Sequence, residues 1–217
     1  MKIKRPFLRE DIKELDEDFV IFVRKAIEED EEIENIIIRE VEISDIDLSN
    51  VYFSQIKFKN CEFVNCILEK SSFINCTFDN CDFSNCNFDS SYFSSCEISS
   101  SKCLGVNLNN STMKELTVKE CNFNFSIMDK INFKSVIFLD STLDSANMAE
   151  SILKNVEFDH STLTGASFFK TFLKGIDLRS CQIEGIAVSD DFHELRGAIV
   201  DLYQASELAR LLGLVIK

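Results

Sequence analysis

The sequence predicts a repeat solenoid, a chain wound into a stack of narrow coils, and three observations at one period carry that prediction. A large apolar residue stands at every fifth position from Ile38 to Val188, 31 positions without a slip. With 45% of the residues apolar, chance would give such a run with a probability of roughly 10⁻¹¹. Two places before each large residue sits a smaller one, as at Cys61, Cys66, Ser71, Cys76, Cys81, Cys86, Ser91, Cys96, Ser111, Ser141, Ala146 and Ala166. A narrow coil has a thin interior, so a side chain that shares it with a Phe must be small. Two places after the large residue, glycine and asparagine recur, at Gly105, Gly165, Gly175 and Gly185 and at Asn50, Asn60, Asn65, Asn75, Asn80, Asn85, Asn110 and Asn155. These are the residues that tolerate the backbone of a sharp corner best. A strict internal repeat outranks local helix or strand preference.

The motif is therefore small, polar, large, polar, polar, and it resembles that of the pentapeptide-repeat proteins over about 155 residues, 36–190. The resemblance implies an all-β fold, a right-handed quadrilateral β-helix in which four pentapeptides form the four sides of one coil. Columns taken at the implied spacing of 20 support it. One column of small positions reads Val51, Ser71, Ser91, Ser111, Ile131, Ser151, Thr171, and another reads Ile56, Cys76, Cys96, Leu116, Val136, Val156, Ile176. The sides differ in character, as stacked coils should. About 155 residues give nearly eight coils, or roughly 37 Å of rod at ~4.8 Å per coil. The least regular stretch, Ser99 to Glu120, puts Cys103, Met113 and Val118 in large positions and is the place where a bulge could sit.

The organisation expected is an end piece at 1–35, the repeat at 36–190 and a second end piece at 191–217. At the start, Leu8, Ile12, Leu15, Phe19, Phe22 and Ala26 follow a helical spacing. They are read as one capping helix over the open edge of the first coil, although Phe19 to Val23 also reads as a strand. At the end, Asp201 and Gln204 resemble a capping box and Gly213 a helix stop. Leu202, Ala205, Leu208, Ala209 and Leu212 give that helix an apolar face, and Leu214, Val215 and Ile216 read as a short strand. Part of the face must cover the last coil, and the surplus, with Leu214 and Ile216, is expected to form a homodimer interface.

Composition bounds the function. There is no run of 18 apolar residues, so no membrane span is expected, and the first residues lack the apolar core of a signal peptide. A cytoplasmic protein without a membrane partner is the expectation. Eight of the nine cysteines occupy small inward positions and Cys103 a large one. Their spacing of five is unlike a zinc site, and they read as buried, reduced space-fillers. The net charge is −14, and no Lys or Arg occurs from Ser71 to Ser101. A nucleic-acid binder needs a basic surface, so direct nucleic-acid binding is disfavoured and a basic protein partner is favoured. Two histidines without a nucleophile at a useful spacing, and no glycine-rich phosphate loop, argue against an enzyme and against any cofactor. Among outward positions, Tyr52, Tyr92, Phe125, Ile127, Ile152, Phe169 and Phe172 are apolar, and the Phe169/Phe172 pair is the one clustered at a corner.

The tail adds a narrower resemblance. Tyr203-Gln204-Ala205-Ser206, then Leu208 and Leu212-Gly213-Leu214, resembles the end of the quinolone-resistance (Qnr) branch of pentapeptide-repeat proteins. That resemblance implies a two-fold dimer through the C-terminal helix and strand, and a rod that imitates double-stranded DNA and binds DNA gyrase or topoisomerase IV. The acids expected to carry the imitation are Asp45, Asp47, Glu62, Glu69, Asp79, Asp82, Asp89 and Glu97. The Qnr proteins of Gram-negative bacteria interrupt the coil with two projecting loops, whereas this register is unbroken, as in the mycobacterial branch. The competing expectation is a scaffold for another protein, docked at Phe169 and Phe172.

Overall fold

A computed structural model describes residues 3–9 and 11–216. The chain winds into a right-handed quadrilateral β-helix of about seven turns, with one α-helix near each end. Every strand pair is parallel and almost all are offset by 20 residues, as in Tyr92↔Thr112, Thr112↔Asn132 and Asn132↔Ile152. The offset runs unbroken through Ser99 to Glu120, so that stretch holds no bulge.

The corners explain the period. The residue two places after each large one has a positive φ almost throughout, from +48° at Ser100 to +81° at Gly175. Asparagine and glycine take this left-handed region readily, but Lys70, Glu115 and Phe125 take it too, held there by the coils above and below. At Gly105 a side chain would also collide, since an added Cβ would lie 2.7 Å from Asn85 Oδ1.

The four sides are named here by their large residues. The first side carries Phe53, Phe73 and Phe93; the second Phe58, Phe78 and Ile98; the third Phe63, Phe83 and Cys103; the fourth Leu68, Phe88 and Leu108. All are buried. Rings on adjacent sides of a coil are turned through the corner and meet edge to face, as Phe53 and Phe58 do at 5.2 Å and 89°. Rings on one side of successive coils are related by translation and stack, as Phe58 and Phe78 do at 5.0 Å and 4°. Both arrangements suit the aromatic quadrupole. Cys103 interrupts the stack of the third side and leaves a cavity of about 20 Å³ between Phe83 and Phe123.

The small inward residues do more than save space. Ser91 Oγ accepts a hydrogen bond from Ser71 N (3.2 Å) and donates one to Leu68 O (2.9 Å). Ser111 and Ser151 repeat the pattern one and three coils on. Spacing alone did not reveal this hydrogen-bonding role. The nine thiols are buried and free.

The ends depart from expectation. The first helix, α1, spans only Phe19–Glu28, because the Asp18 side chain accepts from Ile21 N (2.9 Å) and caps it there. Its Phe19, Val23 and Ala26 are buried, so Phe19 to Val23 is helix and not strand. Upstream, Lys13–Glu14 is no helix but a strand paired with Ile36 and Ile37. At the other end the coil winds on past Val188 with two extra residues. Leu173 N and Gly175 N donate to Glu194 O and Gly197 O, and Asp177 pairs with Ile199. His193, next in the large series, lies in a turn of 3₁₀ helix, His193–Leu195. Buried Glu194 fills this closure, accepting from Lys170 N (2.7 Å) and Ser189 Oγ (2.6 Å).

Candidate functional site

Two surfaces follow from this frame, an acidic one on the early coils and an apolar one at the C-terminal end. The square section distributes the acids over three sides. Glu62 and Asp82 lie on the third side with Asp45 at its corner; Asp47, Glu69 and Asp89 lie on the fourth; Asp79 and Glu97 lie on the second. From Tyr52 onward no acid occupies an outward strand position of the first side; Glu34, one coil earlier, pairs there with Ser54. Glu42, which spacing at five did not single out, pairs with Glu62, and Glu62 pairs with Asp82, so three carboxylates form one ladder along the third side. Reading the sequence at intervals of 20 would have found it.

What holds these groups matters for what they can do. Asp47 accepts from the Ser49 N–H (2.9 Å) and hydroxyl (2.6 Å), and those two bonds hold its carboxyl below the usual range. Asp45 accepts from Asn65 Nδ2 (3.1 Å), Glu69 from Asn87 Nδ2 (2.6 Å), and Asp89 from Ser90 Oγ (2.6 Å). These donors are neutral, so they fix the carboxylates without cancelling their charge. Asp79 and Asp82 differ, for Lys59 (3.7 Å) and Lys102 (3.3 Å) pair with them. Burial pushes the Asp82 carboxyl up, but hydrogen bonds from Ser84 and Lys102 outweigh it and hold it low.

At the C-terminal end, α2 spans Leu202–Leu211 and carries the capping box read from the sequence: Gln204 N donates to Asp201 Oδ1 (2.8 Å) and Asp201 N to Gln204 Oε1 (3.0 Å). Gly213 follows the helix with φ +77°. The residue that seals the last coil is polar. Buried Gln204 donates through Nε2 to Leu178 O (2.6 Å) and Cys181 O (2.9 Å). Leu208 is half-buried against the core and Ala209 is half-buried, while Leu202, Ala205, Leu212, Leu214 and Ile216 are exposed. Tyr203 (82%) is as exposed as Leu202, and Val215 (84%) is slightly more so. Residues 214–216 form no strand, since the single chain offers their backbone no partner.

His160 pairs with Asp159 (2.9 Å) and His193 with Asp191. Ser189, near the second, donates to Asp191 and Glu194 and not to the ring, unlike a nucleophile bonded to its base. Burial pushes the Cys103 thiol well above its ordinary range, which leaves it unreactive. Among the described residues no helix is long and apolar enough to cross a membrane, and no cluster of His, Cys, Asp and Glu could hold a metal ion.

A model described as the pentapeptide repeat region matches residues 36–113, and one of eight-copy pentapeptide repeats matches 141–180, together more than half of the chain. The chain belongs to the pentapeptide-repeat family. Among solved members, a trypsin-treated variant of QnrB1, described as a plasmid-mediated fluoroquinolone resistance protein, is 21% identical, with 94% of this chain and 95% of that one covered and a TM-score of 0.42. Full-length QnrB1 is 19% identical over 82% of this chain and 100% of that one, TM-score 0.30. HetL, a pentapeptide-repeat protein involved in heterocyst differentiation regulation from the cyanobacterium Nostoc, is 12% identical over 83% and 93%, TM-score 0.27. No curated protein matches the chain.

Proposed function

We propose that this pentapeptide-repeat protein is a non-catalytic interaction protein: a homodimer, joined through its C-terminal ends, that imitates double-stranded DNA and occupies the DNA-binding surface of a type II topoisomerase, DNA gyrase or topoisomerase IV. The observation that carries the reading is the state of the acids on the third and fourth sides. Asp45, Asp47, Glu69 and Asp89 are pinned by Asn and Ser donors, and Glu42 and Glu62 stand in a ladder, none of them paired with a Lys or Arg among the described residues. A fixed, uncancelled row of negative charge is what a surface built for phosphates attracts. Seven turns at ~4.8 Å give a rod of roughly 34 Å, and two rods end to end about 68 Å, the length of about 20 base pairs.

The dimer rests on the exposed apolar tail, whose backbone lacks a partner in one chain and would gain one across a two-fold axis. The test is a gyrase supercoiling assay with ciprofloxacin, titrating the protein, beside a titration without drug. Rescue of supercoiling, or inhibition without drug, is expected. No effect on gyrase or topoisomerase IV at micromolar protein would overturn the reading.

A further inference from the structure

The first side of the rod is unlike the other three. From Tyr52 to Lys174 its two outward columns contain no Asp or Glu in a chain that has 37, the acids Glu32 and Glu34 lying one coil earlier at the far end of the rod from the lysines. One column ends in four lysines, Lys114, Lys134, Lys154 and Lys174, each 20 residues on; the first three face one another directly in the ladder. Like charges in register along a sheet repel, and among the described residues none of the four has an ion pair within the chain. The nearest acid on this side, Glu115, stands at its corner and accepts from Ser95 Oγ (2.9 Å). The neighbouring column carries Tyr52, Tyr92, Ile152 and Phe172, with Ile152 61% and Phe172 63% exposed. Lys130 and Lys170 stand at the adjoining corner, where Glu150 pairs with Lys170. The amino-terminal arm is tied to the opposite corner by Phe7 N and Asn75 Oδ1 (3.1 Å), and it sets an exposed Phe7 between Arg5 and Arg9.

We propose that this side is a docking surface for an anionic lipid bilayer. The side of a β-helix is flat, so one plane meets all four lysines and the protruding Ile152 and Phe172 together, over roughly 14 Å of rod. Basic charge and apolar insertion are the two signals that peripheral attachment needs, and tyrosine suits the headgroup level. The acids of the third side face away from that plane, and at physiological salt charges more than about 8 Å apart are largely screened. Hydropathy along the chain cannot report such a surface, because its residues are 20 apart. The inference does not rest on the topoisomerase reading.

The experiment is co-sedimentation of the full chain with vesicles of phosphatidylcholine alone and of phosphatidylcholine with phosphatidylglycerol. Sedimentation with the anionic vesicles only, and release by high salt, are expected. Lys134→Glu with Lys154→Glu is expected to weaken partitioning at least about tenfold, as is Ile152→Ser with Phe172→Ser, with thermal melts unchanged; Glu62→Gln is expected to have no effect. No sedimentation of the wild-type chain, equal sedimentation with neutral vesicles, or full retention by the lysine pair overturns the proposal. So does binding to a labelled single-stranded oligonucleotide without vesicle binding, which would assign the side to nucleic acid.

Discussion

Replacing Ser91 by alanine tests how the interior of the coil is held. The Ser91 hydroxyl is buried, accepts from Ser71 N and donates to Leu68 O. The structure gives neither backbone group another hydrogen bond. Alanine fits the space but leaves one buried donor and one buried acceptor unsatisfied, each costing about 1–3 kcal/mol. Allowing for relaxation, Ser91→Ala should cost about 2–3 kcal/mol. Ser91→Cys keeps a weak donor to the carbonyl, as Cys96 Sγ does toward Phe73 O at 3.2 Å, and should cost about half as much. The assay is urea unfolding followed by far-ultraviolet circular dichroism, comparing midpoints at constant slope. An alanine variant within about 0.5 kcal/mol of wild type, and no worse than the cysteine variant, would mean that the small residues serve as fillers and that the hydroxyl network contributes nothing.

Further outcomes follow from single sites. Cys103→Val should fill the cavity of about 20 Å³ and gain about 0.5 kcal/mol, whereas Cys103→Phe should overpack it and lose about 1–3 kcal/mol; both are read by the same unfolding assay. Phe125→Asn should raise the melting temperature by a few degrees, since it relieves about 1 kcal/mol of left-handed strain at φ +59°. Burial pushes the Glu194 carboxyl up, but Ser189 and the Lys170 N–H outweigh it and hold it below its ordinary value. Its stabilisation is therefore present above about pH 4.5 and is lost as pH falls through the lower folded value. The unfolding midpoint of wild type should drop more steeply below pH 4.5 than that of Glu194→Gln, and parallel curves would refute the assignment. Leu212→Asp with Val215→Asp should halve the mass seen in sedimentation, from twice the 24.8 kDa chain to one, with the melt of the rod unchanged.

The coil was legible because each turn repeats one steric problem. A large residue on the axis, a small one beside it and a left-handed corner recur every five residues, and Phe58, Cys61 and Asn60 each sit where that rule places them. The rule is silent on chemistry that depends on the next coil. Serine, cysteine and alanine all satisfy the small position, so the bonds of Ser91 to Ser71 and Leu68 were invisible at a period of five. So were the acidic ladder through Glu42 and the lysines of the first side, which become rows only when residues 20 apart are set side by side. The ends were harder, because they have no repeat. Leu8, Ile12 and Leu15 share a helical spacing with Phe19, yet Asp18 caps the chain in between and Lys13–Glu14 gains a strand partner at Ile36 and Ile37. Gln204 was read only as half of a capping box, though its second nitrogen-borne contact, to the carbonyls of Leu178 and Cys181, is what closes the last coil.

The central claim, that the rod stands in for DNA, is tested most directly by competition. Purified gyrase is bound to a labelled duplex and titrated with the protein at several salt concentrations. The account predicts displacement of the duplex, an apparent affinity that falls steeply with salt, and marked loss of displacement when Glu42, Glu62, Glu69 and Asp89 are changed to their amides. Binding to gyrase while the duplex remains in place, or displacement indifferent to salt and to those four substitutions, would contradict it.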